Sequence, residues 1–157
     1  MIRRRAMRAV LLTPQGQVLL MKVQEPVSRR HFWIAPGGGI DRGESVEAGL
    51  CRELVEETGL SGVEVGPLLW TRTHEFVWDG EAIFQREEFY LVETALFEPT
   101  MEHNPEVGER SAFQAFRWWS VAEMRKASEL FVPRRLPELL EALIRLGPPA
   151  EVFDVGL

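Results

Sequence analysis

Cysteine is almost missing from this chain of 157 residues: Cys51 stands alone, so no internal disulfide can form and nothing asks for an oxidising compartment. Long apolar runs are missing too. No stretch approaches the roughly 20 residues a helix needs to cross a bilayer, so no membrane contact is expected. The basic start, Met1–Arg5, leads into Ala6–Leu12, which is short, broken by Arg8 and followed by no small-residue cleavage site. A signal peptide is therefore not expected, and the default placement is cytoplasmic. Positive charge is scarce: 18 basic against 24 acidic residues leave a net charge of −6 and a pI near 5.2. General nucleic-acid binding, which needs a basic face to displace counterions, is not expected. There are three histidines and no Cys/His cluster, and neither His74 nor His103 has a zinc-ligand spacing around it. Repeats, low-complexity tracts and linkers are also absent. A single domain over residues 1–157 follows, long enough to bury a core.

What is present reads as alternating strands and helices. Met7–Leu12 and Val18–Val23 predict two strands around the turn Pro14-Gln15-Gly16. A short apolar piece, Phe32–Ala35, precedes Pro36-Gly37-Gly38-Gly39, which is expected to break all regular structure. Ser45 to Thr58 predicts a helix with Ser45 as N-cap and Gly59 as the residue after its end. At 100° per residue, Ala48, Leu50, Cys51, Leu54 and Val55 form an apolar arc, and Cys51 is expected in the core. Glu53, Glu56 and Glu57 fall on the opposite side. Leu68–Trp78 and Glu81–Leu96 predict a hairpin about Asp79-Gly80, which sets Arg72 opposite Glu87 and Phe76 opposite Ile83. An irregular acidic loop over 97–110 precedes a strand over Phe113–Trp119. Ser120 and Glu123 match a capping box, and Pro137 suits the first turn of a last helix ending before Gly147. Mixed order with hairpins predicts an α/β (α+β) sandwich.

The helix is where the chemistry concentrates. Three glutamates at spacings of three and four repel one another by a few tenths of a kcal/mol per pair. A solvated acidic face with Arg52 as partial neutraliser is one explanation. A bound divalent cation is another, since hard ions take carboxylate oxygens together with substrate phosphates. The neighbouring glycines then let backbone approach closely. Gly49, costing about 1 kcal/mol relative to alanine inside a helix, either leaves room for a ligand or packs against a neighbouring loop.

Gly38 to Leu60 taken together run Gly38, five residues, Glu44, seven residues, then Arg52-Glu53-Leu54-Val55-Glu56-Glu57-Thr58-Gly59-Leu60. Every constrained position of a Nudix box is filled, and the segment resembles that family across 23 residues. The resemblance implies an α/β/α sandwich around a mixed sheet. It also implies a Mg²⁺-dependent hydrolase, with Mn²⁺ as a possible substitute, cutting a phosphoanhydride in a small nucleotide-like substrate: a nucleoside triphosphate, a dinucleoside polyphosphate or a nucleotide sugar. Residue by residue, Glu53, Glu56 and Glu57 and the Gly37 carbonyl match the metal ligands. Glu53 also matches a base-supplying position, Arg52 orients a box glutamate, and Gly38, Glu44 and Gly59 complete the motif. Similar enzymes take a further base or ligand from a loop after the hairpin, where Glu98, Glu102, Glu106 and Glu109 stand; Glu109 is the favoured one. A silent nucleotide sensor and an enzyme trimming RNA 5′ phosphates are the alternatives, and similar proteins occur as monomers or homodimers.

Substrate contacts are expected outside the box. Arg29 and Arg30, beside His31, are placed to clamp phosphate or a ribose-linked group, with a plain surface role as the alternative. Trp33, before the glycine turn, and Trp78, at the hairpin tip, offer faces for base stacking, although aromatic residues in strands also fill cores.

Overall fold

The parallel partner of the first strand decides the architecture. In the computed structural model, which describes residues 1–106 and 111–157, β1 (Ile2–Leu12) pairs in parallel with β6 (Glu81–Glu93) over its whole length, from Ile2 opposite Ile83 to Leu12 opposite Glu93. That pairing supplies backbone partners to Arg3, Arg4 and Arg5, which is why the strand starts five residues before the apolar run that predicts it. Antiparallel to β6 runs β5 (Leu68–Trp78), with Arg72 opposite Glu87 and Phe76 opposite Ile83 as the turn sequence predicts. Asp79 and Gly80 carry φ of 49° and 79°, both positive as that turn requires.

The other edge of β1 is shared. Only Leu12 pairs with β2 (Val18–Gln24), whereas Ala6, Met7 and Arg8 pair with β4 (Gly37–Gly39). Gly37–Gly39, expected to end all regular structure, is thus a strand. β2 continues outward through β3 (His31–Ile34) to β8 (Phe131–Val132) and also pairs with β7 (Phe113–Trp119); β9 (Phe153–Asp154) closes the far edge on β5. Because β1 exchanges β2 for β4 along its length, the sheet opens, and a cleft lies between the β5–β6–β1 wall and the β2–β3 wall.

Alternation along the strands then sorts two apolar layers. Met7, Ala9 and Leu11 meet Leu50 and Leu54 of α1 (Val46–Thr58), together with Leu19 and Val92. Val10, with Trp70, Phe89 and Leu20, meets Leu136, Leu139, Leu140 and Leu143 of α3 (Leu136–Leu146). Those leucines recur at three and four residues, one stripe of a helix. The short α2 (Val121–Lys126) opens on the predicted capping box: Ser120 Oγ accepts from Glu123 N–H at 3.1 Å and the Glu123 carboxylate accepts from Ser120 N–H at 3.0 Å. A mixed sheet between α1 and α3 is the α/β/α arrangement expected.

Helix α1 begins and ends where its caps predict. Ser45 Oγ accepts from Ala48 N–H, and Gly59 takes φ of 78°. Its faces differ from the expected ones. Glu53 and Glu57 are buried beside Leu50 and Leu54, while Ala48 is exposed and Cys51 half-buried rather than in the core. The cause is the glycine strand: without side chains on β4, the helix seats close enough to enclose two of its acids.

Candidate active site

Arg52 is the centre of the acidic end. Its Nε donates to Glu44 Oε2 at 2.9 Å, and Nη1 donates to Glu53 Oε1 and Glu56 Oε2, both at 3.2 Å. Nη2 donates to the Gly39 carbonyl at 3.0 Å and to Glu44 Oε1 at 3.1 Å. Bonding to Arg52, then the Asp41 N–H, holds the Glu44 carboxyl below its usual range. Repulsion among the box glutamates is therefore offset from inside the motif. Glu57 faces the strand instead, and its Oε2 accepts from Gly37 N–H at 2.9 Å. Gly38 completes the seat, because a Cβ there would lie 2.7 Å from the Glu53 carboxyl. Gly49 is a packing glycine, its absent Cβ being 2.9 Å from Glu44 and 3.3 Å from Ile40 of the preceding loop.

Glu57, Gly37 and Gly38 also form one end of the cleft, which encloses about 680 Å³. On the sheet face behind them lies a buried chain of charges that sequence reasoning did not assemble. Arg8 Nε donates to Glu87 Oε2 at 2.8 Å, and Arg72 Nη1 donates to Glu87 Oε1 at 2.6 Å. Arg8 also reaches the Ala35 and Gly37 carbonyls at 3.4 and 3.3 Å, and Arg72 donates to the Gly156 carbonyl. Burial pushes the Glu87 carboxyl up, but the two guanidiniums outweigh it and leave it below its usual range. Burial, then Arg72, pushes His74 down to about 4, so it is neutral near pH 7. The signal for Arg8 was visible as the charge interrupting an apolar strand.

The expected substrate contacts separate. Arg30 and Trp78 line the cleft, and Trp78 stands edge-on to Phe32 at 6.3 Å. Arg29 is exposed in the turn at φ 65° and is not among the lining residues. Trp33 is a correction: it is 5% exposed and packed edge-on against Trp119 at 5.2 Å, so it fills the core and has no face free to stack on a base. Glu98, Glu102 and Glu106 are exposed; Glu109 lies outside the described residues.

A curled mixed sheet with a carboxylate helix seated on a glycine strand defines the class: an α/β protein in which Glu57 of that helix borders one end of the cleft. Residues 2–140 match the NUDIX domain. An RNA pyrophosphohydrolase from Rhodopseudomonas palustris (strain BisA53) is 29% identical over 162 residues, covering 94% of this chain and 90% of the relative. Among solved structures, the MutT protein of Methanosarcina mazei Go1 superposes with a TM-score of 0.64 at 18% identity, covering 92% of this chain and 94% of that one. The E. coli ORF135 protein gives 0.62 at 24%, covering 96% of both.

The chain belongs to the Nudix family, and its boxed residues Gly38–Leu60 are that family's motif. It is accordingly a hydrolase acting on phosphoanhydride bonds in nucleoside diphosphate-linked compounds.

Nudix hydrolases generally depend on a divalent metal, and the residues present fit such an ion in chemistry. The donors are all oxygen, as a hard cation prefers. Two of the carboxylates, Glu53 and Glu57, are 7% exposed, and Gly38 keeps open the space a Cβ would fill beside Glu53. Among the described residues no three acidic, histidine or cysteine side chains converge at ligand distance; Arg52 and the Gly37 N–H hold the acids meanwhile. No helix among those residues is long and apolar enough to cross a membrane.

Proposed function

We propose that the chain is a Mg²⁺-dependent pyrophosphohydrolase, able to use Mn²⁺, that attacks a nucleoside di- or triphosphate moiety with water and releases a nucleotide monophosphate. The observation that carries this reading is the corner where Glu57, Gly37 and Gly38 border the cleft. Glu53, Glu56, Glu57 and the Gly37 carbonyl would hold the cation, which when bound neutralises the diphosphate and lowers the pKa of a water. Glu53 is assigned the proton from the attacking water. Burial at 7% exposure and the Arg52 bond at 3.2 Å fix that carboxylate in one place. Arg52 positions Glu53 and Glu56 together, and its bond to the Gly39 carbonyl ties both to β4. Arg8, anchored by Glu87 and reaching the Gly37 carbonyl, sets the glycine strand against the cleft and contributes positive charge where phosphates enter. Arg30 lines the cleft at the hairpin-tip end, beside the Glu25–Asp79 hydrogen bond, and is assigned to a ribose-linked group of the substrate. Glu109 is assigned as a further base or ligand. The lone cysteine supports a cytoplasmic setting.

Release of phosphate, pyrophosphate and nucleotide from a panel of nucleoside triphosphates, dinucleoside polyphosphates and nucleotide sugars tests the reading in Mg²⁺ and in Mn²⁺. Wild type is expected to turn over at least one class, and Glu56→Gln and Glu57→Gln to lose several orders of magnitude in kcat/KM. Unchanged rates in both variants refute the assignment. A second reading, hydrolysis at the 5′ end of RNA, is favoured by the name of the Rhodopseudomonas relative. A triphosphorylated oligonucleotide belongs in the same panel for that reason.

A further inference from the structure

The floor of the cleft carries two polar atoms that nothing in the described residues satisfies. Gln85, 2% exposed, and His74 are paired across the β5–β6 ladder, and both line the cleft. Gln85 Oε1 and His74 Nδ1 are each buried without a hydrogen-bond partner. The closest charged oxygen to that His74 nitrogen is Glu87 Oε1 at 3.7 Å, too long for a hydrogen bond. Buried polar groups are almost always paired, so two adjacent exceptions in one cleft wall call for an explanation. The rest of the surroundings supply one. His74 is stacked on Phe76 at 4.8 Å and 17°. The facing wall offers Met21, Val23, Phe32 and Ile34, with Trp78 at the rim. A slot with apolar and aromatic sides and a hydrogen-bonding floor suits a flat heterocycle, entered edge first.

Position along the strands agrees. Arg4 is level with Gln85 in the β1–β6 register, and Arg8 is four residues further along, about 13 Å at 3.3 Å per residue. An extended nucleoside di- or triphosphate spans that separation, with its phosphates at the Arg8, Gly38 and Glu57 end. We infer that the Gln85 carboxamide, with His74 beside it, is the specificity-determining group that binds the nucleobase edge of the substrate. A carboxamide offers a donor and an acceptor side by side, the complement of the amide or amidine edge of a nucleobase. The inference rests on the proposed nucleotide chemistry, but its test does not need turnover.

Calorimetric titration of the full chain with the four nucleoside 5′-monophosphates and with ribose 5-phosphate is the direct experiment. At least one nucleotide is expected to bind tenfold or more tightly than ribose 5-phosphate. Gln85→Met, which keeps length and removes both hydrogen-bonding groups, is expected to weaken that nucleotide by about tenfold to hundredfold and to leave ribose 5-phosphate unchanged. The melting temperature of Gln85→Met should equal or exceed that of wild type, since a buried amide oxygen without a partner has been removed. No preference for any nucleotide over ribose 5-phosphate overturns the inference. So does a variant that binds every nucleotide as wild type does, or one that loses several degrees of melting temperature and both ligands equally, the mark of a merely structural residue. Hydrolysis by wild type, measured separately, judges the acidic end alone.

Discussion

Two adjacent glycines in the same strand should fail in opposite ways when given a methyl group. At Gly38 the new Cβ would sit 2.7 Å from the carboxyl carbon and Oε1 of Glu53 and 2.8 Å from its Oε2. Non-bonded carbon atoms favour about 3.5–4.0 Å, so the carboxylate must retreat by roughly 1 Å. It is the end of a flexible side chain, and the Gly38 backbone carries no positive φ, so the fold can absorb the change. Catalysis cannot: a misplacement of about 1 Å costs on the order of a hundredfold. At Gly37 the Cβ would fall 1.9 Å from the Met7 carbonyl oxygen and 2.9 Å from the Arg8 Cα, at φ of 143°. Those are backbone atoms of β1 inside a paired strand, and they have nowhere to move. Gly38→Ala is expected to keep its melting temperature within a few degrees, lose about a hundredfold in kcat and bind Mn²⁺ more weakly in an electron paramagnetic resonance titration. Gly37→Ala is expected to unfold or to express as aggregate. A Gly38→Ala enzyme with wild-type kcat would refute the placement of Glu53 against β4.

Three further outcomes follow from the same geometry. His74 ordinarily titrates at 6.5 and in the fold near 4, so between those values the unfolded chain binds the proton and the native one does not. Acidifying from pH 7 to 4 then removes up to about 3 kcal/mol through this group, and urea unfolding of His74→Phe should show a correspondingly flatter pH profile; parallel profiles would discount it. Glu87→Gln leaves Arg8 and Arg72 buried without their neutraliser, a loss of about 3–5 kcal/mol, read by the same unfolding measurement at pH 7. Its depressed carboxyl adds that the wild-type contribution persists above the ordinary carboxylate range and disappears as pH falls through the folded value. Trp33→Ala should cost about 3–5 kcal/mol as a core truncation with KM nearly unchanged in whatever folds. Trp78→Ala should instead raise KM with little change in unfolding free energy.

Local chemistry was legible where one residue type has one physical use. Ser45 and Gly59 bracket α1 because a hydroxyl can accept an end N–H and glycine takes φ of 78° without strain. Asp79-Gly80 set the hairpin register to the residue because only such pairs make a turn with two positive φ values. Strands β8 and β9, of two residues each, have no periodicity to detect; tertiary contact alone makes them. Trp33 misled because an aromatic side chain serves a core or a ligand equally well in sequence, and its neighbours Trp119 and Phe131 lie far along the chain. The Arg8–Glu87–Arg72 chain escaped for a related reason. Arg72 and Glu87 were visible as a cross-strand pair, but the parallel partner of β1 was not, and Arg8 enters through that partner.

The largest error and the clearest functional feature have one cause. Glycine reads as a breaker because it lowers the stability of regular structure when nothing is gained in return. In Gly37–Gly39 the gain is proximity. β4 can pair with β1 only if Gly37 has no Cβ, and α1 can then lie close enough for Glu57 to accept the Gly37 N–H at 2.9 Å and for Arg52 to reach the Gly39 carbonyl at 3.0 Å. That closeness buries Glu53 and Glu57, which a solvent-facing helix of the same sequence would leave hydrated. Buried, hydrogen-bonded carboxylates at the end of a cleft are pre-positioned for charge that arrives with a substrate, and the orientation is fixed before it binds. The spacing from Gly38 to Glu57 is therefore a packing requirement as much as a chemical one: any substitution that adds bulk to the strand moves the acids, whichever nucleotide the cleft receives.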